Sequence, residues 1–131
     1  MKKSSVFWWG LFLTVTVANT VLADEVWVAP RRATRKKNPI AMTSASIAAG
    51  KQVYVRECLA CHGPLGKGDG PKAQDLGKKP GDLSGSKLKT ETDGAMFWKI
   101  STGKKPMPIG EKLLSEKDRW NVVNYMRTLS R

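Results

Sequence analysis

The pentapeptide Cys58-Leu59-Ala60-Cys61-His62 decides how this 131-residue chain is interpreted. It holds both cysteines of the chain and its single histidine. Two thiols at this spacing, followed directly by an imidazole, form the attachment pattern of c-type haem. The thiols add across the two vinyl groups of haem, and the adjacent imidazole ligates the iron from the proximal side. The sequence therefore predicts one covalently bound haem c per chain.

Other interpretations of these residues are weaker. A disulfide between Cys58 and Cys61 is compatible with an oxidising compartment, and thioredoxin-like redox sites use the same spacing. Such a site follows a β-strand, whereas residues 47–57 carry a helical pattern. A structural zinc site needs four ligands, which the chain cannot supply. The glycine-rich stretch after His62 lacks the complete pattern of a phosphate-binding loop.

A haem iron held by one histidine needs a sixth ligand if it is to transfer electrons without reacting with small molecules, and the chain has no second histidine. Met96 and Met126 lie among apolar residues at helical spacing, which is typical of core packing. Met42 precedes the expected folded body. Met107 lies between Pro106 and Pro108, which fix the backbone and remove two N–H donors. We predict Met107 as the sixth ligand, whose soft thioether raises the reduction potential.

The first 23 residues have the pattern of a secretory signal. Lys2 and Lys3 precede an apolar run over residues 6–18, and Val21-Leu22-Ala23 offers small residues for cleavage after Ala23. An uncleaved membrane anchor is the alternative, because residues 6–23 reach the lower length limit for crossing a bilayer. We predict a signal peptide over 1–23, a basic extension over 24–42, a haem domain over 43–131 and a periplasmic location.

The chain is strongly basic. Its formal net charge is +12, and loss of residues 1–23 would remove two lysines and leave +10. Such a charge suits nucleic acid, an anionic membrane or an acidic protein, and export argues against nucleic acid. An acidic redox protein is the expected partner, although the charge could serve solubility alone.

The extension holds five of these cations between Pro30 and Pro39, namely Arg31, Arg32, Arg35, Lys36 and Lys37. A solvated tail is one interpretation, because basic runs are often disordered. Docking of residues 31–37 to an acidic partner or an anionic membrane is the other, with Trp27 as an anchor.

Several motifs in order resemble those of bacterial class I c-type cytochromes, from about Ser46 to Leu129. Gly50 and Tyr54 precede the haem motif and Gly63; Gly66, Gly68, Asp69, Gly70 and Pro71 follow it, and then come Met107-Pro108 and a closing aromatic helix. The resemblance implies an all-α cytochrome c fold, in which the first and last helices cross around one haem with long Gly/Pro-rich loops. We expect Gly50 to be the crossing point, since it lets another backbone approach closely.

The resemblance also implies that the carbonyl of Pro71 accepts the second N–H of His62; a role in turn geometry alone is the alternative. A middle helix is predicted over residues 92–102, ending at Gly103. On it, Trp98 is a candidate to pack on haem or to donate its indole N–H to a haem propionate. Six lysines lie in the two segments expected to border the haem and are candidates for partner docking: Lys67, Lys72, Lys78, Lys79, Lys104 and Lys105.

These features predict a monomeric electron-transfer protein rather than an enzyme. A free one-electron shuttle between larger redox proteins is the first function. A haem subunit fixed in a larger oxidoreductase is the second. A catalytic or ligand-sensing haem protein with a displaceable sixth ligand is the third, although the chain offers no spare histidine to support it.

Overall fold

The computed structural model describes residues 26–130, and this part of the chain is helical. Among these residues there is no β-strand, only an isolated bridge between Lys104 and Met107. The helices are α1 (Arg31–Thr34), α2 (Ser44–Glu57), α3 (Leu59–His62), α4 (Ser86–Thr90), α5 (Asp93–Thr102) and α6 (Glu116–Leu129), with 3₁₀ turns at Ala73–Leu76 and Gly110–Lys112. The predicted all-α class is confirmed.

The amino-terminal predictions fall mostly outside this range. The signal segment over residues 1–23 and its cleavage site lie outside the described residues. Within residues 26–130, none of the helices combines the length and the apolar character needed to cross a membrane.

Helix α2 begins at a capping box. The side chain of Thr43 accepts from the Ser46 N–H at 3.1 Å, and the Ser46 hydroxyl accepts from the Thr43 N–H at 3.0 Å. The two bonds satisfy backbone donors that the first helical turn leaves free. The helix therefore starts a few residues before the apolar pattern that predicted it.

Helices α2 and α6 cross in contact at Gly50. A β-carbon added to Gly50 would lie 2.0 Å from the carbonyl oxygen of Asn121, so only glycine fits there. Beside the crossing, the Tyr54 and Tyr125 rings pack with centroids 5.1 Å apart. Val122 and Val123 of α6 are fully buried. Gly50 is thus the crossing point, as predicted, and the crossing lies within the apolar core.

Helix α5 completes the core against α6. The side chain of Thr92 caps its first turn by accepting from the Ala95 N–H. The Phe97 ring stacks on Trp120 with centroids 3.8 Å apart. At the other end of α6, Arg127 donates to the Asp93 carboxylate and to the carbonyls of Leu88 and Glu91. One guanidinium therefore fixes α4 and α5 to the last helix.

The extension packs on this body from Trp27 onward. Ala29 is 4% exposed. The Asn38 amide donates to Asn124 Oδ1 at 2.8 Å, and the Asn124 amide donates to the carbonyl of Ile40. A β-carbon added to Gly94 of α5 would lie 2.0 Å from the carbonyl oxygen of Ala33, so α1 sits directly against α5. A solvated tail is the wrong description of residues 27–40.

Candidate haem site

The two cysteines lie where α2 gives way to the short helix α3. The N–H of Cys58 still bonds to the carbonyl of Tyr54 at 2.8 Å, and the N–H groups of Cys61 and His62 both bond to the carbonyl of Cys58. This single turn carries both thiols and the imidazole, and all three side chains belong to half-buried residues. The thiols are free rather than joined in a disulfide.

Burial raises the pKa of the Cys58 thiol to about 12, with a further contribution from the Glu57 carboxylate. The thiol is therefore protonated and apolar in character at neutral pH. Cys58 and Leu59 also pack against the core built by α2, α5 and α6. The attachment turn is thus an extension of the core, and a flat apolar group attached there would be shielded from water on that side.

The imidazole of His62 is held at one nitrogen. Its Nδ1 lies 3.1 Å from the carbonyl oxygen of Gly81. Burial lowers the pKa of His62, which favours the neutral ring. A neutral ring that donates from Nδ1 carries its lone pair on Nε2, the form that ligates metal. Among residues 26–130 the imidazole ring of His62 makes no other hydrogen bond, so its Nε2 is available to iron.

The acceptor of His62 corrects one prediction. The sequence pointed to Pro71, but the carbonyl at Nδ1 is that of Gly81. Pro71 lies in a turn pinned on both sides, since the Gly70 N–H bonds to the Cys61 carbonyl and the Lys72 N–H to the Ala60 carbonyl. That turn covers the backbone of the attachment helix, while a later part of the loop reaches the imidazole.

Backbone hydrogen bonds hold the glycine-rich loop against the attachment turn. The Gly68 N–H bonds to the carbonyl of His62 at 2.9 Å. A β-carbon on Gly70 would lie 2.4 Å from the carbonyl of Ala60, and one on Gly63, whose φ is +78°, would lie 2.0 Å from Asp69. The Tyr54 hydroxyl donates to the Gly63 carbonyl at 2.7 Å. The glycines are thus needed for close backbone contact.

Met107 lies on a tight turn after α5. Its N–H bonds to the carbonyl of Lys104 at 2.9 Å, and its half-buried side chain packs against the same core as Cys58. The other methionines are placed differently. Met96 is 2% and Met126 is 7% exposed in the core, whereas Met42 is 54% exposed. Among these four, Met107 alone lies in a loop at the margin of the core.

Trp98 lies on the side of α5 that faces the extension. Its half-buried ring has its centroid 6.1 Å from that of Trp27, at a tilted angle. Trp27 is therefore covered by α5 and is not presented outward as an anchor. The contact of Trp98 with a haem propionate stays a prediction.

The six predicted docking lysines are all exposed. Four belong to the loop that supplies Gly81, and Lys104 and Lys105 belong to the turn that supplies Met107. The six lysines thus lie on two segments. One carries the proposed ligand Met107, and the other supplies the Gly81 carbonyl that bonds to the second proposed ligand, His62. Backbone hydrogen bonds hold the loop to the attachment turn, and the Met107 N–H closes its own turn on the carbonyl of Lys104.

Sequence reasoning missed three groups that shape this site. The carbonyl of Gly81 orients His62, the hydroxyl of Tyr54 holds Gly63, and the amide of Asn124 joins the extension to the crossing. A carbonyl has no sequence signature, because every residue carries one. Tyr54 and Asn124 were visible on helical faces, but their polar partners lie in irregular segments.

Two free thiols and one imidazole on a single turn, with Nε2 unengaged and a thioether in a neighbouring loop, suit covalent attachment of haem. These features define a c-type haem protein. The family model for cytochrome c matches residues 47–130, so this chain belongs to the cytochrome c family. Its fold is the all-α cytochrome c fold, and its cofactor is haem c, covalently bound through Cys58 and Cys61. The predicted cytochrome c family, all-α fold and covalently bound haem c are confirmed.

One solved structure shows a related chain. A chain of a reducing HAO-like protein complex of Kuenenia stuttgartiensis is 33% identical and superimposes with a TM-score of 0.63, covering 71% of this chain and 47% of that chain. This chain thus spans about half the length of that relative. No curated protein matches the sequence. Membership of the cytochrome c family gives the chain an electron-transfer role.

Proposed function

We propose that this protein is a periplasmic one-electron carrier whose haem iron is held by His62 and Met107. Haem supplies reversible one-electron chemistry at iron once it is bound. The chain supplies the two axial groups, the covalent attachment and the surface that meets redox partners. The observation that carries the proposal is the half-buried Met107, which packs against the same apolar cluster as Cys58, whereas Met96 and Met126 are buried members of that cluster.

The residues around the axial groups restrict movement. Gly81 orients the ring of His62, and Tyr54 fixes the backbone at Gly63 directly after it. The turn from Lys104 to Met107 limits the motion of the thioether. Because electron transfer is fast only when the site changes little between oxidation states, a preorganised ligand set suits a carrier. Two protein ligands also leave no open position for small molecules.

The exposed lysines of the two loops give the carrier its expected partner. Positive charge beside the site attracts an acidic redox protein and raises the encounter rate without requiring a large interface. A short-lived complex suits a protein that must leave after one electron. We therefore propose an acidic redox protein as the partner of this face and a monomer as the state of the carrier.

Substitution of Met107 tests the ligand assignment. We expect Met107→Ala to lower the reduction potential and to open the iron to carbon monoxide, because the soft thioether favours ferrous iron and blocks the sixth position. Met42→Ala is the matched control, since Met42 is exposed and lies outside the core. An unchanged visible spectrum and potential in Met107→Ala would exclude Met107 as the ligand.

A second candidate function is a haem subunit fixed in a larger oxidoreductase. The related chain from Kuenenia stuttgartiensis belongs to a protein complex, and this observation favours the candidate. Size-exclusion chromatography of a native extract distinguishes the two. The carrier elutes near its monomer mass with its pigment, whereas a fixed subunit co-elutes with a larger assembly.

A further inference from the structure

The extension and the body form a cleft whose residues are distant in sequence from the haem motif. The cleft has a volume of about 460 Å³ and lies between α1, α5 and the start of α6. Its cations are Arg32 and Lys36 of the extension and Arg119 of α6, and Glu111 is the acid that lines it. Ser101 and the Phe97 ring form part of its floor. The extension thus contributes two of the three positive charges.

Arg119 lacks the partner that a partly buried cation normally has. One terminal nitrogen donates to the hydroxyl of Ser101, and the guanidinium carbon lies 4.8 Å from the centroid of the Phe97 ring. Its Nε is buried and has no hydrogen-bond partner within residues 26–130. Buried charges are usually paired with an opposite charge. No carboxylate forms an ion pair with Arg119 in the described part of the chain.

The remaining charges leave the cleft positive. Lys36 is paired with Glu116 at 3.2 Å and stands 4.6 Å from the centroid of the Phe97 ring. Arg32 is exposed and forms no ion pair in the described range. Two arginines that form no ion pair among the described residues therefore line the cleft together with one acid, Glu111. A guanidinium presents paired N–H donors that match the two oxygens of a carboxylate.

We propose that this cleft docks an acidic segment of a partner protein, with a glutamate or aspartate side chain between Arg32 and Arg119. The cleft is concave, so it suits a projecting side chain better than the flat surface of a membrane. Trp27 packs against Trp98 and is not free to enter a bilayer. The occupant is therefore a protein segment rather than an anionic lipid surface.

This docking site uses none of the residues assigned to haem attachment, to axial ligation or to the docking lysines, and Trp98 lines it. Residues 31–36 precede the segment that matches the cytochrome c family, residues 47–130. The cleft lies on the face made by the extension, and the docking lysines lie on the loops around the haem site. Thr102 and Glu111 of the cleft flank, in sequence, the turn that carries Lys104 and Lys105.

Nuclear magnetic resonance of the reduced holoprotein tests the proposal with hexaglutamate as the probe. We expect saturable shifts of the Arg119 Nε–H signal and of the amides near Arg32, weakening as salt is added. Shifts confined to the lysine loops, or no binding, would overturn the proposal. Equal shifts with acetate at the same carboxylate concentration would overturn the requirement for a protein segment.

Charge reversal supplies the matched control. We expect Arg32→Glu to weaken hexaglutamate binding roughly fivefold, since an exposed ion pair is worth up to about 1 kcal/mol. Lys51→Glu makes the same charge change on the exposed face of α2 and should leave binding unaltered. Equal losses in both variants, or binding to anionic vesicles without binding to hexaglutamate, would contradict a cleft site. Visible spectra of both variants check haem ligation separately. If the spectra stay normal, a loss of hexaglutamate binding is not caused by a failure of the haem-ligand proposal.

Discussion

The helical crossing and the glycine-rich loop are built in opposite ways. At the crossing of α2 and α6, buried side chains such as Tyr54 and Val122 fill the space around Gly50. In the loop over residues 63–85, backbone groups bond to the backbone of the attachment turn, and few side chains are buried. One region is held by apolar packing and the other by hydrogen bonds around the cofactor site.

The crossing and the loop therefore have different roles in the fold. At the crossing, side chains of the protein itself fill the core. The loop places Gly81 at His62 and carries most of the docking lysines, but has little apolar area of its own. Because ordering a long loop costs conformational entropy, the loop needs the haem to complete its packing.

Removal of haem should give the largest effect. We expect the Cys58→Ala, Cys61→Ala double variant, purified free of pigment, to lose the cooperative thermal transition of the holoprotein. The remaining core cannot offset the entropy of ordering the loop. Circular dichroism during heating measures the transition. A cooperative melt close to that of the holoprotein would show that the loop folds without the cofactor.

Gly50→Ala tests the crossing alone. We expect a loss of about 3 kcal/mol in unfolding free energy, because the new β-carbon would overlap the Asn121 carbonyl and force the helices apart. Gly81→Ala is the matched control from the loop. A β-carbon there has open space and leaves the carbonyl that bonds His62 in place. Denaturant unfolding of both holoproteins measures the difference, and equal stabilities would contradict the crossing assignment.

The same two regions explain what the sequence could predict. The sequence indicated helices at α2 and α5, and the resemblance indicated the closing helix α6. Gly50 was recognisable because glycine lets another backbone approach closely. The haem motif and Met107 were recognisable by residue type. The acceptor at His62 was predicted wrongly as Pro71, since a backbone carbonyl carries no residue signature. The packing of the extension through Asn38 was also missed, because its charges resemble those of a tail.

Substitution of Asp82 should change the stability least among these variants, and it tests the hydrogen bonds within the loop. The hydroxyl and the N–H of Ser84 donate to its carboxylate and lower the pKa of Asp82. Because the folded pKa lies below the unfolded one, Asp82 stabilises the fold above the unfolded value, and this contribution disappears as pH falls through the folded value.

We therefore expect holoprotein Asp82→Asn to melt slightly below wild type at about pH 6 and to converge with it below about pH 4, near the ordinary aspartate pKa. Asp75→Asn, another exposed acid of the loop, is the control. A difference between wild type and Asp82→Asn that grows as pH falls would contradict the assigned hydrogen bonds.

The visible spectrum of the purified, exported protein tests the central claim most directly, recorded reduced minus oxidised and again under carbon monoxide. The account predicts a pigment that stays attached after denaturation and a reduced spectrum that carbon monoxide leaves unchanged, because His62 and Met107 fill both axial positions. Loss of the pigment on denaturation would contradict attachment through Cys58 and Cys61. A carbon monoxide complex of the native protein would contradict the ligand pair.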